Sequence, residues 1–154
     1  MSIDNINTIV FFSKNVLVSN DGTAVKLMPE LVRELPGAFR TVAVWADDQD
    51  AKAVTRVYGD AVDQVMVENA EERSNESVLE ELVRNATLVH GTTLFIDHHP
   101  KRCMAAVRAG VFAGIFEDAS RLYRDLGVWG FFPFSRSLRA VEAYLGGAAG
   151  KPTG

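Results

Sequence analysis

The chain is expected to fold as a three-layer α/β domain around a mostly parallel five-stranded sheet. Three observations carry that expectation. Short β-branched and aromatic runs alternate along the chain with segments of helical periodicity. Pro, Gly or an acidic cluster stands where each helix must start or stop. Residues 94–114 read as strand, acidic loop, helix, glycine and strand, a βαβ unit with Asp97 at the carboxyl end of its first strand. In open parallel sheets that edge is where ligands bind.

The elements follow in order. Residues 8–12 form a β-branched and aromatic first strand. Residues 13–26 are polar and turn-rich, with Lys14-Asn15 and Asn20-Asp21-Gly22 as turn signals and a short hairpin arm at 16–18. A helix over 29–35 places Leu31, Val32 and Leu35 on its apolar face and ends at Pro36-Gly37. Residues 41–45 are the second strand. Asp47-Asp48-Gln49-Asp50 then opens a helix that runs to Tyr58, its acids favourable to the helix dipole.

Residues 65–67 form a third strand, and a helix over 71–84 turns Val78, Leu79, Leu82 and Val83 inward. A fourth strand at 93–96 leads to a helix over 100–109. Pro100 suits its first position, where a missing N–H costs nothing, and Gly110 its stop. A fifth strand at 111–115 and a helix over 118–126, capped by Asp118, complete the alternation. Crossovers within a parallel sheet are right-handed. A single domain over 1–145 and a flexible tail over 146–154 are expected.

Residues 128–134 hold Trp129, Phe131, Phe132 and Phe134, followed by a short helix at 137–145. Two readings of the aromatics stand open. They close the core over one sheet edge, or they form a partner surface, including a homodimer face.

Composition narrows the class. With 154 residues, 47% hydrophobic and 23% charged, the chain can bury one sizeable core. No apolar run is long enough to span a membrane and no signal peptide opens the chain, so a cytoplasmic location is the expectation. A net charge of −4 argues against nucleic acid as partner. The one cysteine, Cys103, lies on the apolar side of a helix and reads as a buried small hydrophobe.

The run Asp97-x-x-Pro100 followed by Ala105-Ala106-x-x-Ala109-Gly110 resembles the fourth motif of the haloacid dehalogenase (HAD) superfamily. The resemblance covers roughly residues 8–127 in order and spacing, and it implies a HAD-like, Rossmann-like core without a cap domain. In that family the first strand ends in two acids, a nucleophile and a general acid. Laid over 10–18, the pattern puts Phe12 at the nucleophile and Lys14 at the general acid. A rival register over 19–23 places Ser19 and Asp21 there instead. Neither supplies a carboxylate nucleophile.

The second motif's hydroxyl is replaced by Ala46, the third motif's Lys has only Arg73 nearby, and Asp97 stands alone in the fourth with His98 where a second acid is common. Asp97 by itself is too small a ligand set for Mg²⁺. The expectation is therefore no metal and no cofactor, with an Asp97–Lys14 ion pair substituting for the cation.

Two functions follow. One is a pseudoenzyme: a capless, metal-independent binding or regulatory module with a protein partner or a small organic ligand. The other is an enzyme repurposed as a lyase, isomerase, cyclase or hydrolase, with Asp97 and His98 as acid–base groups. The ligand-facing residues in either case are Phe12, Ser13, Lys14, Asn15, Ala46, Asp47 and Arg73. The bland reading of His98-His99 is one solvated ring and one that satisfies local hydrogen bonds.

Overall fold

The computed structural model describes residues 5–68 and 74–132. Strands β1 (Thr8–Phe12), β2 (Thr41–Ala46), β3 (Gln64–Val67), β4 (Thr93–Asp97) and β5 (Phe112–Ile115) form one sheet in the order β3-β2-β1-β4-β5. Every neighbouring pair is parallel. Between them run α1 (Met28–Glu34), α2 (Asp48–Tyr58), α3 (Asn75–Arg84) and α4 (Pro100–Arg108), and α5 (Ala119–Val128) follows β5. No domain is inserted among the described residues.

Alternation along the strands sorts the side chains into two cores. Ile9, Phe11, Val42, Val44, Leu94 and Ile96 face one side, with α1, α2 and α5 packed over them. Val10, Ala43, Trp45 and Phe95 face the other, under α3 and α4. Burial on both faces explains why these strands read as continuous apolar runs. The same alternation sends Asp97, two residues beyond Phe95, to the α3/α4 side.

Helix ends follow the local chemistry. Asp47, Ser74 and Asp118 each accept a backbone hydrogen bond as N-cap of α2, α3 and α5. At the end of α4, Gly110 takes φ 96°, and the N–H groups of Gly110 and Val111 donate to the carbonyls of Val107 and Ala106. This is a Schellman closure, and it needs the glycine.

Some boundaries differ from expectation. α1 starts at Met28, and Leu35–Gly37 form a separate 3-10 turn because Pro36 cannot continue an α-helical ladder. β5 begins at Phe112, since Val111 is spent on closing α4. Residues 16–18 make only a minimal hairpin arm: Val18 forms an isolated antiparallel bridge with Ala24, and the Val25 N–H donates to the Leu17 carbonyl at 3.0 Å. They curl back on Ser13, whose carbonyl accepts from Leu17 and Val18, with Asn15 at φ 63° where asparagine is tolerated. The Tyr58 hydroxyl fixes the curl by donating to the Leu17 carbonyl at 2.6 Å.

Trp129 and Phe131 pack against the first core, and Phe132 is buried within it. The Phe131 ring lies 4.7 Å from that of Phe39. The core-closing reading describes these three rings. Phe134, the helix expected at 137–145 and the tail at 146–154 lie outside the described residues.

Candidate functional site

The site grows out of the strand ends. β1 pairs with β4 in the register Phe11↔Ile96, so Phe12 and Asp97 end adjacent strands at the same edge. Phe12 also pairs with Trp45 of β2, and the two rings meet edge to face at 5.1 Å. Above them opens a cleft of about 430 Å³, lined by Phe12, Lys14, Asn15, Trp45, Asp47, Asp50, Glu68, Asn75, His98 and Arg102.

Asp97 lies under this cleft, completely buried. Its partner is Arg102, in the first turn of α4. Arg102 Nε donates to Asp97 Oδ2, and Nη2 donates to Oδ1 at 3.3 Å. The His99 N–H adds a bond to Oδ1 at 3.1 Å. The guanidinium carbon sits 3.8 Å over the centre of the Phe12 ring, a cation–π contact at the end of β1.

The expected Asp97–Lys14 pair is not formed. Lys14 Nζ instead lies 3.2 Å from Oδ1 of Asp50, a buried acid in the first turn of α2. Ser13 Oγ donates to the other oxygen of Asp50 at 3.2 Å. The reason is proximity. The Ser13 N–H pairs with the Trp45 carbonyl, which holds the chain leaving β1 against the β2–α2 corner, while α4 delivers a guanidinium directly onto Asp97.

Other expected site residues divide. Phe12, Lys14, Asn15, Asp47 and His98 line the cleft. Ser13 is buried beneath it, and Ala46 faces the first core, as period-two alternation from Val44 requires. Neither lines the cleft. Arg73 lies outside the described residues. In the rival register, Asp21 closes a small turn of its own. It accepts from Ser19 Oγ, Thr23 Oγ1 and the Thr23 N–H, which hold its carboxyl down at about 2.

His99 caps α4, its Nδ1 accepting from the Lys101 N–H at 3.1 Å. That is half of the bland reading of the histidine pair. His98 is half-buried. Its Nδ1 lies 3.3 Å from Asp97 Oδ1 but takes no hydrogen bond among the described residues.

Arg102, Asp50, Trp45, Glu68 and Asn75 were not expected. Two of them had a signal. Asp50, Ala53 and Val54 share the buried face of α2 at i, i+3 and i+4 spacing, which puts the acid inward. Arg102 stands in the first turn of a helix that starts from the Asp97 loop, within reach of that acid.

The resemblance to the HAD superfamily implies a Mg²⁺ at this strand edge, and the residues present do not fit one. Both oxygens of Asp97 already accept from Arg102, and Phe12 offers no ligand atom. Among the described residues no group of three His, Cys, Asp or Glu side chains is placed to hold a metal ion.

Comparison with solved structures gives the fold its place. The chain matches L-2-haloacid dehalogenase from Xanthobacter autotrophicus with a TM-score of 0.59 and 10% identity, over 88% of each chain. It matches the cobalt-bound deoxy-D-mannose-octulosonate 8-phosphate phosphatase of Haemophilus influenzae with a TM-score of 0.52 and 17% identity, over 92% of each. The fold is that of the haloacid dehalogenase superfamily.

An uncharacterised Corynebacterium glutamicum protein is a further match to this HAD-like chain, with a TM-score of 0.58, 16% identity, and coverage of 82% of this chain and 97% of that one. No known family's sequence profile matches the HAD-like chain, and no curated protein does. At these identities the likeness is one of fold. No helix among the described residues is long and apolar enough to cross a membrane.

Proposed function

We propose that this HAD-like chain is a binding or regulatory module without phosphatase activity. One observation carries the reading: the Arg102 guanidinium pairs with both oxygens of Asp97 while stacked on Phe12. Phosphoryl transfer on this fold draws on a carboxylate nucleophile and a divalent cation. The strand end that would supply the nucleophile carries a phenyl ring. The acid that would help hold the cation is buried in a two-point ion pair.

The cleft itself remains, at about 430 Å³ and with both polar and aromatic walls, a size that suits a small organic ligand. Open ligand clefts of this kind serve recognition without chemistry as readily as with it.

The reading is tested by thermal unfolding with and without millimolar Mg²⁺. A ligand that binds only the native state raises Tm. The module reading predicts no Mg²⁺ effect. A rise that disappears in Asp97→Asn would overturn it.

A second reading draws on His98. Its Nδ1 is buried beside the Asp97 carboxylate without a hydrogen bond among the described residues, and its ring lines the cleft. An imidazole beside a buried carboxylate is a general acid–base pair in the making. A metal-independent lyase, isomerase, cyclase or hydrolase would use it, and His98→Ala would abolish turnover without lowering Tm.

A further inference from the structure

Among the described residues β5 pairs with β4 alone, and its other edge meets no strand. The Phe116 N–H donates to the Asp97 carbonyl at 2.7 Å, so Gly114, two residues earlier, also turns its N–H and C=O toward β4. The backbone groups of Ala113 and Ile115 point the other way, outward. An edge of this kind is a template for another strand, and natural edges are guarded by charge or proline. Phe112-Ala113-Gly114-Ile115 carries neither.

Apolar surface flanks the edge on both faces. On the α4 side Ile115 is 52% exposed. Val107, 54% exposed, stands one helical turn beyond Cys103, whose Sγ lies at the Gly114 carbonyl. On the α5 side the half-buried Trp129 ring lies over Gly114.

We propose that this edge pairs with β5 of a second copy, antiparallel about a two-fold axis, and joins two five-stranded sheets into one. The register that satisfies all the outward groups sets Ala113 against Ile115 of the copy. Gly114 then lies opposite its own equivalent at the axis, where neither copy has a side chain in the way. The α4 helices run alongside each other, with Val107 of each between them.

Charge selects a second copy, and selects this edge. Past the end of β5, Glu117 and Asp118 fall opposite the uncharged Val111 and Gly110 of the copy, so like charges do not meet. The far edge, β3, is bracketed by Asp63 and Glu68, which an antiparallel copy would set side by side.

The test is sedimentation equilibrium of the full chain up to about 100 μM, a range that captures a micromolar dissociation constant. The expected mass is about twice the 16.9 kDa of one chain, falling to that of one chain on dilution. Ile115→Lys puts a charge into the pairing, and Ala113→Pro removes an outward donor while sparing the ladder to β4. Each should raise the dissociation constant of the dimer by about tenfold or more. Amide exchange on the wild type locates the interface without a substitution. The Ala113 and Ile115 amides should be protected at high concentration and exchange freely on dilution.

A monomer at every concentration would overturn the proposal, and so would a dimer that both folded variants retain. Protection of the two amides that does not change with dilution would overturn it as well, since residues of the same chain would then cover the edge. Should a variant fail to fold, the exchange result decides alone.

Discussion

Arg102 grips Asp97 through Nε and Nη2 from the first turn of α4, and the acid it grips is fully buried. A carboxylate taken out of water must be paired, and here a side chain of the same chain does the pairing. The arrangement joins the end of β4 to the start of α4 and, through the stacked ring, to the end of β1.

Removing the guanidinium should therefore be costly. Arg102→Ala leaves a charge with no access to water and is expected to lower stability by about 3–5 kcal/mol in urea denaturation. Asp97→Asn with Arg102→Met, which removes both charges, should cost less than Arg102→Ala alone. A single mutant as stable as wild type would show that the pair holds nothing together.

The Lys14–Asp50 pair should behave asymmetrically. Asp50 is buried and Lys14 is about one-third exposed. Lys14→Ala leaves the acid with Ser13 as a side-chain donor and should cost about 1–3 kcal/mol. Asp50→Asn frees a lysine that can turn to solvent, and should cost less than about 1 kcal/mol. Equal losses in the two variants would contradict the burial assigned to Asp50.

Gly110 is required twice over. Its φ of 96° is foreign to side-chain-bearing residues, and a Cβ there would stand 2.8 Å from the His90 ring. Gly110→Ala should destabilise by about 1–2 kcal/mol. His90→Ala in the same chain should recover only part of that, because the backbone strain remains.

Cys103 should be chemically silent in the native state. Burial, aided by the neighbouring Asp97 charge, pushes its thiol from 9.0 up to about 11. At pH 8 an alkylating reagent should label it only on unfolding. A thiol that ionises later in the folded chain favours folding most below pH 9.0, and that contribution fades as pH rises through about 11. Cys103→Ala should accordingly flatten the alkaline end of the stability profile. Rapid labelling of native protein would contradict the buried placement.

The fold was legible because parallel strands buried on both faces leave unmistakable apolar runs, and because Pro100, Gly110 and the Asp47 cluster punctuate them. The site was legible only to the strand ends. Asp97 and Phe12 fall there by counting along their strands. Which cation reaches which acid depends on how α2 and α4 lean on the sheet, and sequence order does not encode that. So the sequence does not show that Lys14 meets Asp50 or that Arg102 meets Asp97, whereas the parity of Ala46 along β2 does turn it into the core.

On the proposed reading, Arg102 and Phe12 stand where a HAD phosphatase would carry its metal and its nucleophile. The most direct test is turnover of a generic aryl phosphate by purified protein at saturating Mg²⁺. The expected rate is no higher than that of buffer, unchanged by chelator and by Asp97→Asn. Steady hydrolysis abolished both by chelator and by Asp97→Asn would contradict it.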